Sequence, residues 1–218
     1  MVYQLAVNGL SQLRKQPKIL MFKLAFDKAL AALLLVTLSP VIVACMALIR
    51  RGSAGPAIFR QTRIGRHEVP FNCYKLRTMQ VATANVPTHE VSSASVTPIG
   101  AFLRRSKLDE LPQLVNILKG EMSFVGPRPC LPQQVELIER RRGLGVFSIR
   151  PGITGLAQIR GIDMSDPENL AKVDGEYLHG RSLVSDFGIM IATVLGKGQG
   201  DKIRTEPATG SKQSIRRE

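Results

Sequence analysis

Tryptophan is absent from this 218-residue chain, and the 8 Phe and 3 Tyr leave aromatics at only 5%. Surfaces that bind nucleic acid interleave basic side chains with stacking aromatics. No such stripe, zinc-finger spacing or RNA-binding signature occurs, so nucleic acid ranks low as a partner. Cysteine is scarce too. Cys45, Cys73 and Cys130 are odd in number and widely spaced, so no disulfide framework is implied and a reducing compartment fits better. His67, His89 and His179 lack the spacing of a metal site or of a nucleophile–base pair. There is no Walker-type lysine loop, so ATP-driven chemistry has no support. The glycine-rich Gly196-Lys197-Gly198-Gln199-Gly200 has no strand before it and no helix after it, unlike a dinucleotide loop. Acidic residues are few, 17 against 30 Lys plus Arg, for a formal charge of +13. That imbalance calls for an acidic partner, either anionic lipid headgroups or phosphorylated substrates.

What is abundant is aliphatic. From Ala29 to Ile49 the chain reads ALAALLLVTLSPVIVACMALI without a charge, and about 20 apolar residues suffice to cross a bilayer as a helix. Two features compete with a simple span. Ser39-Pro40 falls in the middle, where proline removes a backbone donor. Both flanks are basic: Lys15, Lys18, Lys23 and Lys28 before, Arg50, Arg51, Arg60 and Arg63 after. The positive-inside rule would hold both ends in the cytoplasm, which one pass cannot satisfy and a helix–break–helix that re-enters can. From these residues alone, re-entry and spanning both stand. A signal peptide does not fit, because the apolar run continues past Val43-Ala44-Cys45 to Ile49.

Around this segment the pattern predicts an α+β fold, mainly helical with a small β-hairpin. Residues 1–21 read as an N-terminal interfacial segment and 22–50 as a membrane segment interrupted at Ser39-Pro40. Residues 51–195 read as the folded body, and 196–218 as a flexible basic tail. Ala57–Arg63 and Phe71–Thr78 are the hairpin strands, flanking Ile64-Gly65-Arg66-His67. Val81–Thr97 has no period and reads as a loop. Pro132 opens a helix that ends at Gly143, Asp166-Pro167 caps another, and Ser185–Leu195 suits a core or interfacial helix.

The chemistry concentrates in Arg104-Arg105-Ser106-Lys107-Leu108-Asp109-Glu110-Leu111-Pro112-Gln113-Leu114. Leu111, Leu114, Val115 and Leu118 fall at helical spacing up to Gly120, so the helix should begin at about Asp109, with Pro112 in its first turn. Two adjacent carboxylates would then meet an anionic phosphate ester with Arg104, Arg105 and Lys107 offsetting the repulsion. Helix capping explains the same pair in isolation. Two stiff turns each present a guanidinium suited to phosphate oxygens: Arg128 in Gly126-Pro127-Arg128-Pro129, and Arg150 in Arg150-Pro151-Gly152. Lys75 and Arg77 share a strand face if the hairpin forms.

Together these pieces resemble the bacterial sugar transferase family, the monotopic polyprenyl-phosphate phosphoglycosyl transferases, in its small form. The resemblance runs from Phe22 to Leu195. It rests on Ser39-Pro40, Lys75-Leu76-Arg77-Thr78-Met79 and Leu108–Leu114. It rests equally on Leu118-Lys119-Gly120-Glu121-Met122-Ser123-Phe124-Val125-Gly126-Pro127-Arg128-Pro129 and Arg150-Pro151-Gly152-Ile153-Thr154-Gly155. It implies a monotopic protein of the bacterial inner membrane, with a re-entrant hairpin and interfacial helices around a cytoplasmic catalytic domain. It implies transfer of a sugar-1-phosphate from a nucleotide diphosphate sugar, commonly a UDP-sugar, to polyprenol (undecaprenyl) phosphate. In that scheme Asp109 is the nucleophile and Glu110 binds Mg2+ and assists with the acceptor's proton. Arg104 is a phosphate ligand, and Lys75, Arg77, Arg128 and Arg150 are candidate ligands for substrate phosphates. The family usually has Ser-Leu before the Asp-Glu pair, where this chain has Lys107-Leu108.

Three other classes compete. A basic membrane-anchored module that binds anionic lipid explains the charge and the apolar run, but not the carboxylate pair with its arginine turns. A peripheral nucleic-acid binder would need no detergent and would weaken steeply with salt. An enzyme transferring the sugar without its phosphate would release nucleoside diphosphate.

Overall fold

The structure, a computed structural model, describes residues 17–81 and 95–198. The expected interfacial segment is therefore outside the described residues up to residue 16, as are most of the 81–97 loop and the tail from residue 199.

Helix α1 runs Pro17–Gly52 without interruption through Pro40, so the expected break at Ser39-Pro40 does not end the helix. Proline cannot donate to the carbonyl four residues earlier, that of Val36. The Ser39 hydroxyl takes that place, donating to Val36 O at 2.8 Å, while Thr37 Oγ1 donates to Leu33 O at 2.9 Å. In an apolar phase these local donors spare the freed backbone a desolvation cost. One stripe of α1 faces protein: Asp27, Ala31, Cys45 and Ile49 are buried, with Leu34, Leu35, Ile42 and Met46 packed beside them. That is helical spacing maintained for most of the length. Away from it, Met21, Phe22, Leu33, Val36, Val43 and Leu48 are exposed. Only 11% of its most apolar 18-residue window is buried, and the helix is long and apolar enough to cross a membrane.

Strands β1 (Ile58–Ile64) and β2 (Pro70–Leu76) form the expected antiparallel hairpin, with Ile58 opposite Leu76 and Ile64 opposite Pro70. Phe71 and Cys73 point into a core shared with Ala31, Leu114, Ile117 and Met122. Lys75, two residues further on, continues that strand face. Helix α2 (Pro98–Arg105) is capped by Thr97, whose Oγ1 accepts from Gly100 N at 3.0 Å. It lies so close over Thr78 that a Cβ on Gly100 would overlap the Thr78 backbone.

The expected single helix from Asp109 divides in two. Leu108–Glu110 is one 3-10 turn, and α3 spans only Gln113–Lys119, with Pro112 as its N-cap and Gly120 closing it at φ 80°. Next come β3 (Ser123–Val125), α4 (Val135–Gly143), a 3-10 turn (Val146–Ser148), β4 (Gly152–Thr154) and α5 (Leu156–Ile159). Helices α6 (Pro167–Gly180) and α7 (Leu183–Val194) complete the described chain. Asp166 caps α6 as its sequence requires, accepting from Asn169 N. Helix α4 opens three residues after Pro132, because Gln134 Oε1 first turns back to accept from Leu131 N.

The sequence did not announce β3 and β4, which pair in parallel with Ser123 beside Gly152 and Val125 beside Thr154. A Cβ on Gly152 would strike Gly126 N, so glycine is what lets these strands meet. Helices α4 and α6 enclose a core of Cys130, Leu137, Leu170, Ala171 and Val173. Behind that core Arg141, 1% exposed, holds Asp174 through Nε at 2.9 Å and Nη2 at 2.6 Å. On α7, Ile189 is buried while Val184, Phe187, Ile191 and Val194 form an exposed apolar stripe, the interfacial alternative of the sequence reading.

Candidate active site

A cavity of about 220 Å³ opens where α1, the end of β2, the α2–α3 connection, β3 and β4 converge. One wall is charged: Lys75, Arg104, Lys107, Asp109, Glu110 and Arg128. The other is apolar: Leu34, Leu111, Leu114, Phe124 and Ile153. Leu34 comes from the protein-facing stripe of α1, so the helix that suits a bilayer contributes directly to the apolar wall.

The chain reaches this cavity through a left-handed residue. Lys107, at φ 57°, reverses the path between α2 and the 3-10 turn and aims Asp109 and Glu110 inward. A non-glycine residue held there stores about 1 kcal/mol or more of strain. Glu110 Oε1 accepts from Lys75 Nζ at 3.1 Å and from Arg128 Nη2 at 3.0 Å. Asp109 is 8% exposed. Burial first, and the neighbouring Glu110 charge second, push its carboxyl up to about 6, against the pull of Lys75, Arg104 and Arg128. Glu110 goes the other way, because Arg128 and Lys75 outweigh its burial and hold it well below the usual carboxylate range. The two neighbours thus divide: Glu110 is the fixed anion, and Asp109 is the desolvated one, poised near neutrality.

Each functional side chain is fixed from behind. Every carbonyl from Pro127 to Cys130 has a donor: Gly152 N on Pro127, Arg141 Nη1 on Arg128, Arg63 Nη1 on Pro129 and Ile64 N on Cys130, all at 2.8–2.9 Å. Arg128 therefore rides on a clamped turn. Fully buried Asn116 joins α3 to the edge of β2, accepting from Tyr74 N at 3.1 Å and donating to Asn72 O at 2.7 Å. These two bonds set α3, which follows the dyad's 3-10 turn, against the strand bearing Lys75.

Of the residues singled out in the sequence, the cavity gathers Asp109, Glu110, Arg104, Lys75 and Arg128. Arg77 and Arg150 lie elsewhere. Arg77 follows the end of β2, is buried, and donates to the Ser53 and Ala54 carbonyls and to Ser53 Oγ, bracing the turn after α1. Arg150 donates through Nε to Gly120 O at 2.7 Å, at the end of α3 remote from the dyad. Turn and strand context singles out both in the sequence but does not reveal where a long side chain goes. Lys107, Thr154, Gln158, Thr193 and Gly198 also line the cavity. Thr193 Oγ1 lies 2.7 Å from Thr154 Oγ1, and Gln158 donates to Ile153 O. Lys107 is the cation already read beside the dyad, whereas nothing in the local sequence marks Gln158 or Thr193, which tertiary packing alone brings to the cavity. Gly198 lies at the start of the stretch read as a flexible tail.

For Mg2+ the donor set fits an ion shared with substrate. No cluster of three His, Cys, Asp or Glu side chains suited to a metal occurs among the described residues. Mg2+, however, is ordinarily held by one or two carboxylates plus substrate phosphates and waters, and the dyad supplies the carboxylates.

Comparison with known proteins identifies the family. The family model described as bacterial sugar transferase matches residues 18–198. The UDP-glucose:undecaprenyl-phosphate glucose-1-phosphate transferase of Escherichia coli (strain K12) is 36% identical over 204 residues, covering 88% of this chain and 42% of that protein. The protein of the same name from Caulobacter vibrioides is 37% identical over 183 residues, covering 79% of this chain and 68% of that one. The uncharacterized sugar transferase EpsL of Bacillus subtilis is 35% identical over 201 residues, covering 88% and 98%. The chain thus spans less than half of the E. coli relative and nearly all of the B. subtilis one. With a matched region that takes in α1, the carboxylate pair and the clamped arginine turn, the chain belongs to the bacterial sugar transferase family.

Proposed function

We propose that this protein transfers a sugar-1-phosphate from a UDP-sugar to undecaprenyl phosphate, releasing uridine monophosphate and beginning a lipid-linked glycan. The observation that carries the reading is a buried, desolvated carboxylate beside an ion-paired one. They face a cavity whose walls are cationic on one side and apolar on the other. The cationic wall suits a diphosphate, and the apolar wall, reaching α1 through Leu34, suits the first isoprene units of a lipid acceptor.

In the first half-reaction an Asp109 carboxylate oxygen attacks the sugar-bearing phosphorus. The P–O bond to the nucleoside monophosphate breaks, and that group leaves with the electron pair. In the second, the acceptor phosphate oxygen attacks the same phosphorus and Asp109 leaves as carboxylate. Lys75, Arg104 and Arg128 offset the repulsion between anions and the charge that builds on the equatorial oxygens. Glu110 holds Lys75 and Arg128 in place and would ligate Mg2+, which when bound neutralises donor phosphate charge. Burial keeps the Asp109 carboxylate poorly hydrated, which raises its reactivity.

The contacts of α1 support the membrane disposition of this reading. It contacts the body near its start, where Lys23 meets Asp186 at 2.6 Å, and again near its end, where Ile49 and Cys45 pack with Leu76 and Leu103. Both ends therefore stay with one body, on the cytoplasmic side given the basic flanks, which supports re-entry over a full span.

The test is a donor labelled in its sugar-proximal phosphate. Wild-type protein should acquire label and release uridine monophosphate without acceptor, and Asp109→Asn should do neither. Retained labelling in that variant, or release of uridine diphosphate, overturns the reading. Chelation should stop the first half-reaction. Cysteines introduced at the two ends of α1 should react from the same side; opposite-side labelling means a full span.

A further inference from the structure

A second cationic cluster lies at the far end of α3 from the dyad. Arg66, in the hairpin turn, donates through Nε to Ser148 O at 3.0 Å, and Arg150, two residues after Ser148, donates through Nε to Gly120 O at 2.7 Å. Lys28 reaches the same glycine, its Nζ within 3.9 Å of where a Gly120 Cβ would stand. Arg181, between α6 and α7, makes no hydrogen bond or ion pair among the described residues, and neither Arg66 nor Arg150 meets a carboxylate there. Burial holds both Arg150 and Arg181 below the usual guanidinium range and the nearby Arg66 charge adds to it, against the pull of Asp27 on Arg150 and of Tyr177 and Asp186 on Arg181.

The neighbouring carboxylates are already engaged. Asp186 holds Lys23 at 2.6 Å and lies 2.7 Å from the Tyr177 hydroxyl. Asp27 accepts from Ser123 Oγ at 2.7 Å, and Glu121 accepts from Asn116. Half-buried guanidinium groups with their Nε on fixed carbonyls keep their outer N–H groups directed and pre-organised. Met21, Phe22 and Phe26, which flank Lys23 on α1, and Val184 and Phe187, which flank Asp186 on α7, are exposed. The Lys23–Asp186 pair ties those two helices together.

We propose that Arg66, Arg150, Arg181 and Lys28 form an anion site for a phosphate oxyanion, outside the catalytic cavity and at the membrane-facing rim. Phosphate oxygens accept paired N–H donors of guanidinium. The apolar rim favours a lipid headgroup as the carrier, and free phosphate is the alternative carrier of the same chemistry. The inference does not rest on the transfer reaction.

The full chain, in neutral detergent, is melted with phosphatidylglycerol, with phosphatidylcholine, and with inorganic phosphate against chloride at matched ionic strength. Phosphatidylglycerol or phosphate at about 100 times its dissociation constant should raise the wild-type Tm by about 5 °C or more. Arg66→Gln and Arg181→Gln should each lose at least half of that rise, while Arg66→Lys and Arg181→Lys retain most of it and guard against a folding defect. A response to phosphatidylglycerol alone assigns the site to lipid, and a response to phosphate as well assigns it to the oxyanion from either source. Equal responses in wild type and Gln variants, or none in wild type, overturn the proposal. So does loss of nucleoside monophosphate release in a Gln variant that folds and is assayed with saturating donor, which would place these arginines in the catalytic cavity.

Discussion

Replacing Asp109 with Asn should abolish turnover and yet make the protein harder to unfold. The carboxyl ordinarily titrates at 3.8 and is pushed up to about 6 by burial and by Glu110. At about 1.4 kcal/mol per pH unit, keeping it ionised at neutral pH costs the fold about 3 kcal/mol relative to the unfolded chain. That cost is already net of the attraction to Lys75, Arg104 and Arg128, which pull the carboxyl down. Asn, which preserves the shape and carries no charge, should therefore gain about 3 kcal/mol over wild type at neutral pH, at about 2–4 °C of Tm per kcal/mol for a chain this size. The sign of the pH dependence is specific. A folded-state value above the unfolded one gives stability that is complete below pH 4 and is lost as pH rises through 6. Wild type and Asp109→Asn should thus melt together near pH 4, diverge between pH 4 and 6.5, and stay apart by a constant amount above that. Thermal melts followed by circular dichroism in detergent with chelator, at half-unit steps of pH, measure the gap directly. A variant less stable than wild type at pH 8, or a gap that does not change with pH, would refute the argument that burial strains this carboxylate.

Other perturbations probe the machinery behind the dyad. Because protonated Asp109 cannot attack phosphorus, kcat/KM should fall about tenfold per pH unit below 6, and a profile flat down to pH 5 would exclude it as the group that must be ionised. Arg141→Met leaves Asp174 buried and unpaired and removes the donor to the Arg128 carbonyl. It should cost about 3–5 kcal/mol in melts and reduce activity, with Arg141→Met/Asp174→Leu recovering part of the stability. Asn116→Ala orphans Tyr74 N and Asn72 O between α3 and β2; a loss of about 1–3 kcal/mol is expected, together with lower transfer activity. Gly100→Ala should not be accommodated where α2 meets Thr78, and normal expression and melting of that variant would contradict the close approach.

What the sequence determined by itself is everything carried by local pattern. The uncharged run from Ala29 to Ile49, the two hairpin strands (expected at Ala57–Arg63 and Phe71–Thr78, found at Ile58–Ile64 and Pro70–Leu76), the Asp166-Pro167 cap and the adjacency of Asp109 and Glu110 are properties of neighbouring residues. Composition and periodicity report such properties directly. Tertiary structure alone decided which cations reach the dyad. Arg128 and Lys75 arrive there while Arg77 and Arg150 turn to backbone carbonyls, although all four looked alike in sequence. A side chain long enough to reach 6–7 Å has its partner chosen by what packs around it. The parallel pairing of β3 with β4 was equally hidden, since three-residue strands are too short to show alternation and the glycines that let them meet contact each other only after folding. The division of labour between two neighbouring carboxylates, one ion-paired and one desolvated, likewise exists only once burial and distant cations surround them.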